Sequence, residues 1–529
     1  MFEYLRRLAT TGAAYTAASV LSKLIAVFLL PIYTAYLTPA DYGAAEVMIA
    51  SLVAASIVVR LGVIEAILRF YYLSGESPRQ VVRTGFAALF WATTLAALVA
   101  LPFAEPISRA LLGEPDAGLA RLAILGLWQL TLWEYALTLL RLDERAREYF
   151  TFTIAAVLIT IPVTVALVAG TDLGASAILL GNFGTGVPLL LWRLWVERRR
   201  LGLGVDPALL RRMIRFGLPT MPAELTLYSL NFIDRILIVR LAGLAEAGLY
   251  ALAVKFANGM QVLVRGFHLA WPPLAYSIRD DEEARRAYAL IVSWFVAICA
   301  FAVLGLWLLA PWLVRLLASE EFFAAHEAIG PLAAGTALYA LYLVLVVVLG
   351  RTGRTELSFP PTALAVAVNI GLNLLLVPPF GIVGAGLALV GSYLVVVAAM
   401  YLITDRLFRV PYEWRRLALA IGGAAALIAA GELAVPQEGL AGLALTAALC
   451  AAYPLLLWAA GFLSRAERER LRAWLRPEAV LGRLRALRAG PAEPPPEEAA
   501  GEPTPPHGSP ALTPEALEQA QRDTDRGGA

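Results

Sequence analysis

The residues of this sequence that could do chemistry are charged side chains inside long apolar segments. The chain has 529 residues, of which 43 are lysine or arginine, and only Lys23 and Lys255 are lysines. Both lie in apolar stretches, as do Arg60, Arg235 and Arg265. A charge near the centre of a bilayer costs about 2.5–3.5 kcal/mol on insertion scales. Each of these residues therefore needs an ionic partner, a water-filled cavity or a functional role.

Asp234 and Lys255 are predicted to form a structural ion pair. Asp234 precedes a short turn around Gly243, and Lys255 follows it. In an antiparallel helical hairpin, residues about 9 and 11 positions from the turn reach a similar depth. Because opposite charges at one depth can neutralise each other, the spacing predicts contact between these two side chains.

Arg60 and Arg265 are equivalent in their spacing from two glycines. Each follows its glycine, Gly43 or Gly248, by 17 residues, a distance of about 25 Å along a helix. With the glycines at the outer surface, both arginines lie near the cytoplasmic mouth. They either snorkel to inner-leaflet phosphates or meet a ligand there. His268, one helical turn after Arg265, is predicted to be structural.

The composition is that of an integral membrane protein. Hydrophobic residues make up 59% of the chain and charged residues 16%, with a mean hydropathy of +0.70, whereas soluble proteins carry roughly 25% charged residues. The net charge of +2 is spread along the chain, which argues against nucleic-acid binding. Cys299 and Cys450 have no neighbouring Cys or His, so neither a disulfide nor a zinc site is predicted. No cofactor is expected, and the phosphate-binding pattern GxxxxGK[ST] of ATP-hydrolysing chains is absent.

Fourteen apolar segments are long enough to cross a membrane as helices, and they predict an all-α integral membrane protein. Arginines crowd the connections on one side, whereas the connections on the other side and the segment ends next to them hold four, Arg109, Arg121, Arg240 and Arg315. The positive-inside rule therefore predicts that both termini lie in the cytoplasm. The expected location of the protein is the inner (cytoplasmic) membrane. The segments cover residues 12–37, 43–69, 81–104, 118–141, 149–169, 174–196, 214–241, 247–274, 287–313, 325–349, 356–377, 382–404, 417–435 and 439–463.

The sequence also repeats itself at an offset of 205 residues over about 110 residues. At this offset Gly43 aligns with Gly248, and Asp41 aligns with Glu246, the acidic residue two positions before that glycine. Six segments separate the copies, an even number, so the copies share one orientation about a pseudo-two-fold axis along the membrane normal. Two parallel six-helix lobes of this kind are typical of transporters that work by alternating access. Prolines in the equivalent first helices are candidate hinges, although prolines are also common in membrane helices: Pro31, Pro219 and Pro222.

The repeat and the composition divide the chain into five predicted units. Two of them lie after the last apolar segment. The first is rich in arginine and is predicted to be an amphipathic helix on the anionic inner leaflet, or alternatively a solvated charged helix. The second is rich in Pro and Glu and is predicted to be disordered. The units are an N-terminal lobe (1–200), a C-terminal lobe (201–410), two additional helices (411–463), the basic helix (464–490) and the tail (491–529).

Two stretches carry a family resemblance. The run from Leu37 to Gly43 reads Leu-Thr-Pro-Ala-Asp-Tyr-Gly, and a second set of residues spans segments 7 and 8. Together they resemble the polysaccharide transporters of the multidrug/oligosaccharidyl-lipid/polysaccharide (MOP) flippase superfamily, which includes O-antigen flippases. The resemblance covers roughly residues 1–460 and not the tail. The second set comprises Asp234, Arg235, Gly243, Glu246, Gly248, Tyr250 and Lys255.

The resemblance implies a flippase for polyprenyl-diphosphate-linked oligosaccharide, with a cationic cavity between two lobes. Lys23, Arg60 and Arg265 are the expected cations of that cavity. The ammonium of Lys23 can follow a moving diphosphate as a point charge. The alternative for Lys23 is an ion pair with Glu46, Glu134 or Glu224. Besides the lipid-linked substrate and membrane lipids, a glycan polymerase and export machinery are expected partners.

Three other functions stay open on the sequence alone. A lipid II flippase would share the diphosphate chemistry, and a multidrug cation exporter would share the six-plus-six fold. Such exporters, however, usually stop at twelve helices and bind cations through buried carboxylates. A membrane glycan polymerase or glycosyltransferase would need catalytic residues on a substantial outer loop. Only Asp41, on a short connection, is an obvious candidate.

Overall fold

The computed structural model describes residues 29–72, 77–465 and 467–469. All regular elements in these residues are helices, and no β-strand occurs among them. The predicted all-α fold is confirmed. Lys23 and most of the first predicted span lie outside the described residues, as do the predicted tail (491–529) and nearly all of the predicted basic helix (464–490).

The helices are numbered in chain order. We call residues up to 200 the first half and residues 201–410 the second half. The first half contains α1 Leu30–Tyr36, α2 Pro39–Arg60, α3 Val63–Phe70, α4 Pro78–Ala100, α5 Ala104–Leu112, α6 Ala117–Leu142, α7 Ala146–Gly170, α8 Ala175–Leu179 and α9 Gly186–Val196. The second half contains α10 Pro207–Gly217, α11 Met221–Ala242, α12 Leu244–Ala257, α13 Met260–Ser277, α14 Asp281–Leu317, α15 His326–Arg351 and α16 Phe359–Leu407. Two further helices follow, α17 Trp414–Ala434 and α18 Gly439–Ala459.

Short polar side chains start several of these helices. Thr38 and Asp41 form a capping box at α2, in which the Thr38 Oγ1 accepts from the Asp41 N–H and the Asp41 carboxylate accepts from the Thr38 N–H. Pro39 occupies the first turn, where its missing N–H costs no hydrogen bond. Asp116 and Asp280 accept backbone N–H groups in the same way at α6 and α14. These caps satisfy N–H groups that have no partner within the helix.

By length and apolar character, ten helices of the described residues could cross a membrane, or eleven if the bent pair α12 and α13 forms one span. The axes of that pair differ by 44°. The prediction of fourteen spans stays a prediction. Two features account for part of the difference. Helix α11 is less apolar because it carries Glu224, Asp234, Arg235 and Arg240. In addition, two predicted spans, 356–377 and 382–404, fall almost entirely on the single helix α16.

Helix α16 contains a reversal of the chain. Gly381 has a left-handed backbone conformation (φ 54°, ψ −133°) inside an otherwise helical run. A Cβ atom added to Gly391 would lie 2.5 Å from the Leu372 side chain. In a straight helix, residues 19 positions apart would be separated by about 28 Å. The two ends of α16 therefore pack side by side as an antiparallel pair, which corresponds to the predicted spans 356–377 and 382–404.

Repeat-related residues contact each other across the two halves. A Cβ atom added to Gly43 would lie 2.2 Å from the Leu244 carbonyl oxygen, and one added to Gly248 would lie 1.9 Å from the Pro39 carbonyl oxygen. The two contacts are equivalent under the offset of 205, which places Gly43 on Gly248 and Pro39 on Leu244. Only glycine allows α2 and α12 to approach this closely. Glu46, further along α2, contacts Lys255, further along α12, so the two helices run in the same direction, as a parallel repeat requires.

The two repeat-related acids also have equivalent neighbours. A Cβ atom added to Gly174 would lie 2.7 Å from the Asp41 carboxylate, and one added to Gly381 would lie 3.3 Å from that of Glu246. The two glycines have nearly the same backbone angles, φ 52° and ψ −129° at Gly174 against φ 54° and ψ −133° at Gly381. Each acid therefore lies at the start of a helix in its own half. The repeat extends beyond the segment in which sequence identity is visible.

The candidate hinge prolines lie where helices begin or change character. Pro219 belongs to a 3₁₀ turn, Leu218–Thr220, between α10 and α11. Pro222 and Pro31 lie in the first turns of α11 and α1. Short 3₁₀ segments between helices often mark hinges. Motion at these positions stays a prediction.

A network of ion pairs on the first half was not predicted from the sequence. Asp143, in the connection between α6 and α7, accepts hydrogen bonds from Arg200 (2.5 Å) and from the Tyr71 hydroxyl (3.0 Å). Glu197 accepts from Arg145 and Arg193, both at 2.7 Å. Burial opposes ionisation of Asp143, but the hydrogen bonds from Arg200 and Tyr71 outweigh it and lower the pKa of this carboxyl below 3.8.

The stability of the protein should depend on pH through Asp143. Because its pKa is lower in the folded state, the ionised carboxylate stabilises the fold above its ordinary pKa of 3.8, and this contribution disappears as the pH falls through the lowered value. Asp143→Asn should therefore lower the unfolding temperature in detergent at pH 7. The difference from wild type should shrink below about pH 4. A pH-independent difference would contradict this account.

Candidate functional site

The candidate site is a group of charged residues between α2 of the first half and α11 and α12 of the second. The Lys255 ammonium lies 2.6 Å from the Glu46 Oε1 and 4.9 Å from the centre of the Tyr42 ring. One terminal nitrogen of the Arg235 guanidinium lies 3.3 Å from the Glu46 Oε2 and donates to the Glu46 carbonyl oxygen at 3.2 Å. We call Tyr42, Glu46, Arg235 and Lys255 the Glu46 cluster.

The Glu46 cluster has more positive than negative charge. Two cations share one carboxylate, and their side chains are only 24% (Lys255) and 15% (Arg235) exposed. Within the described residues, the buried Arg235 Nε has no hydrogen-bond acceptor. A buried donor without an acceptor is costly, and so is a surplus charge inside a membrane protein. The arrangement is suited to an anionic ligand that brings both charge and acceptor atoms.

The predicted ion pair between Asp234 and Lys255 is wrong. Lys255 pairs with Glu46, whereas the carboxylate of Asp234 accepts from the Tyr250 hydroxyl at 2.9 Å and from the Asn373 amide at 2.8 Å. Depth along the hairpin does not fix the direction of a side chain. Consecutive residues point about 100° apart around a helix, so Arg235 rather than Asp234 joins Lys255 on the face toward α2.

Asp234 forms a second polar group within the second half. It is fully buried, as is Asn373, and Asn369 is 1% exposed. The Oδ1 atoms of both asparagines have no hydrogen-bond partner in the described part of the chain. Carboxylate and amide oxygens are the donors that hard cations prefer. This group can therefore accept a proton or hold a small cation, although no cluster of three or more His, Cys, Asp or Glu side chains in the described residues could hold a metal ion.

The structure places the other predicted cations in different surroundings. Arg60, at the end of α2, pairs with Glu224 of α11 at 2.9 Å, and its side chain is 12% exposed. Arg265, on α13, is exposed, as is His268. The repeat-related arginines therefore have unlike environments, and a common role at an entrance stays a prediction. Lys23 lies outside the described residues.

Glu46 is the site residue whose contacts are hardest to predict from the sequence. The sequence suggests it only as a partner for Lys23, together with Glu134 and Glu224. The signal that could have found its contacts is the repeat. If Gly43 and Gly248 meet, then Glu46, one helical turn beyond Gly43, must face the second half. A carboxylate at that position of an apolar helix needs a cation.

The fold and the family of the chain agree with each other. Residues 34–327 match the family described as polysaccharide biosynthesis protein, and the chain belongs to that family. No curated protein matches the sequence. Its fold is similar to that of three solved membrane proteins, one of them described as a transporter of the MOP superfamily, and together with the family match this confirms the resemblance noted in the sequence.

The solved structures are similar in fold at low sequence identity. "Lipid II flippase MurJ, inward closed conformation" is 11% identical, with a TM-score of 0.66 over 85% of this chain and 99% of that one. An inward-facing multidrug resistance MATE family transporter of the MOP superfamily is 16% identical, with a TM-score of 0.58 over 72% and 94%. A MATE transporter in the bent conformation is 17% identical, with a TM-score of 0.50 over 79% and 96%.

Proposed function

We propose that this protein is a flippase that moves polyprenyl-diphosphate-linked oligosaccharide from the cytoplasmic to the outer leaflet for the synthesis of a surface polysaccharide. The observation that carries the proposal is the surplus positive charge of the Glu46 cluster, buried between the two halves. A diphosphate linkage supplies the negative charge and the acceptor oxygens that Lys255 and Arg235 need. Membership of a polysaccharide biosynthesis family supports the glycan part of the substrate.

Transport would proceed by alternating access. The two lobes (1–200 and 201–410) would rock against each other at the interface of α2 and α12, with Pro219 and Pro222 absorbing the bend. Lys23, Arg60 and Arg265 would extend the cationic surface toward the cytoplasmic mouth, where the lipid-linked substrate enters. In this arrangement both termini would lie in the cytoplasm. The protein would act as a transporter and not as an enzyme, and a glycan polymerase would receive the transported substrate outside.

A lipid II flippase would use the same cations, because its substrate also carries a diphosphate. A cation exporter is a second candidate, and the buried carboxylate of Asp234 is the specific observation in its favour. The Glu46 cluster argues against it, since a net positive cluster between the halves repels a cationic drug. In the flippase, the Asp234 group would instead serve an ion that supplies energy.

Lipid extracts of a deletion strain test the proposal. Loss of the flippase should cause complete lipid-linked oligosaccharide to accumulate on the cytoplasmic side, and the wild-type gene should reverse this. Lys255→Ala should fail to reverse it at an equal protein level. Accumulation of lipid II would favour the lipid II alternative. Unchanged lipids together with increased sensitivity to cationic drugs would favour the exporter.

A further inference from the structure

We infer that Glu46 occupies the position of the substrate's phosphate at Arg235 and Lys255, and that a bound diphosphate displaces it and thereby releases the two halves from each other. This inference rests on the proposed function, in which these two cations hold the diphosphate. It assigns Glu46 a positioning role: in the absence of substrate, its carboxylate holds the cations in place and closes the interface.

Both ion pairs of the Glu46 cluster run between the halves. Glu46 belongs to α2, while Arg235 and Lys255 belong to α11 and α12. Among the described residues, Glu46 is the only carboxylate within ion-pair distance of either cation. Its two oxygens engage one cation each, at 3.3 Å and 2.6 Å. The Glu46 side chain therefore connects Arg235 and Lys255, which belong to the second half, to the first half.

A diphosphate is the better ligand for these cations. It offers more oxygens than a carboxylate and a larger negative charge, and it can also accept from the Arg235 Nε, for which the described residues provide no acceptor. Once displaced, Glu46 would lie beside a group of like charge, without its partners and largely buried. Repulsion and the cost of an unpaired buried charge both favour movement of α2 away from α12.

The same interface contains neutral contacts that such a movement would break. Ser319, before the 3₁₀ turn Glu320–Ala325, donates its hydroxyl to the Thr34 carbonyl oxygen at 2.7 Å, and its N–H to the Thr34 Oγ1 at 3.1 Å. Thr34 belongs to the first half and Ser319 to the second. The predicted topology places this contact at the outer end of the helices. Displacement of Glu46 would therefore open the outer side when substrate is bound.

Binding of geranyl diphosphate, a short soluble polyprenyl diphosphate, tests the competition. If Glu46 competes with the ligand, the folded fraction of Glu46→Gln, whose amide oxygen can still accept a hydrogen bond from one of the cations, should bind the ligand at least about tenfold more tightly than wild type, because no carboxylate of the protein competes for Arg235 and Lys255. Glu46→Asp, which keeps the charge, should bind like wild type. Equal or weaker binding by a folded Glu46→Gln variant would overturn the inference. Wild type, Lys255→Ala and Arg235→Ala binding alike would instead contradict the proposed function.

Disulfide formation between Thr34→Cys and Ser319→Cys tests the release without altering the cluster. In a protein with Cys299→Ala and Cys450→Ala, this pair should form a disulfide readily in the absence of ligand. Geranyl diphosphate should slow its formation severalfold, whereas geraniol, which lacks the phosphates, should not. With Lys255→Ala in the same background, the diphosphate should have no effect. An unchanged rate in a protein that demonstrably binds geranyl diphosphate would show that binding does not release the halves, and would overturn the inference.

Discussion

Glu46→Ala is expected to remove most of the folded protein, while Lys255→Ala leaves its amount nearly unchanged. Removal of Glu46 leaves Arg235 and Lys255 buried side by side without a counter-charge, at a cost of about 3–5 kcal/mol. Removal of Lys255 leaves a balanced pair of Arg235 and Glu46. Transport should show the opposite pattern, since the Lys255→Ala protein folds but has lost a ligand cation. Size-exclusion chromatography of detergent extracts measures the folded fraction.

The double substitutions provide the control. Glu46→Ala combined with Lys255→Ala should recover part of the folded protein, because only one unpaired cation remains. Asp234→Ala combined with Lys255→Ala should show the sum of the two single effects, since these residues belong to different groups. Recovery by the Asp234 combination, or equal losses from Glu46→Ala and Lys255→Ala, would contradict the assignment of partners.

The second large effect is expected at the contact of the two halves. Gly248→Ala introduces a Cβ atom 1.9 Å from the Pro39 carbonyl oxygen. The carbonyl oxygen is a backbone atom, and the Cβ atom is bonded directly to the backbone. The clash therefore cannot be relieved by rotation of a side chain. The helices α2 and α12 must separate, at a cost of about 3 kcal/mol or more. We expect a marked drop in unfolding temperature and in transport.

Gly371→Ala is the matched control, because nothing lies within 4 Å of a Cβ atom added there. Both glycines are in membrane helices, and alanine has the higher helix propensity, so this change should be neutral or slightly stabilising. Gly43→Ala should resemble Gly248→Ala, since its Cβ atom would lie 2.2 Å from the Leu244 carbonyl oxygen. If Gly248→Ala proved as stable as Gly371→Ala, the helices would not be in contact as described.

The sequence contains enough information to predict the fold class and the repeat. Apolar length and charge define spans without knowledge of their packing. The offset of 205 residues pairs Gly43 with Gly248, which meet in the structure. It also pairs Asp41 with Glu246, which lie beside equivalent glycines. These features depend on position along the helix, which sequence spacing records directly.

The partners of the charged residues could not be obtained in the same way. Depth along a helix follows from residue number, but the direction of a side chain depends on the rotation of each helix, which packing determines. For this reason the spacing pairs Asp234 with Lys255, although Asp234 faces Tyr250 and Asn373. The Asp143 network escapes prediction because its members come from distant connections that only the folded chain brings together.

Reconstituted transport tests the central claim most directly. The purified protein is placed in liposomes with a fluorescent polyprenyl-diphosphate oligosaccharide in both leaflets, and a membrane-impermeant enzyme that modifies the glycan reports the exposed fraction over time. We predict that wild type exposes all of the substrate to the enzyme, whereas liposomes with Lys255→Ala protein, present at equal amount, expose only the half that began in the outer leaflet. Equal exposure by wild type and by protein-free liposomes, in preparations where a cationic dye is transported, would contradict the account.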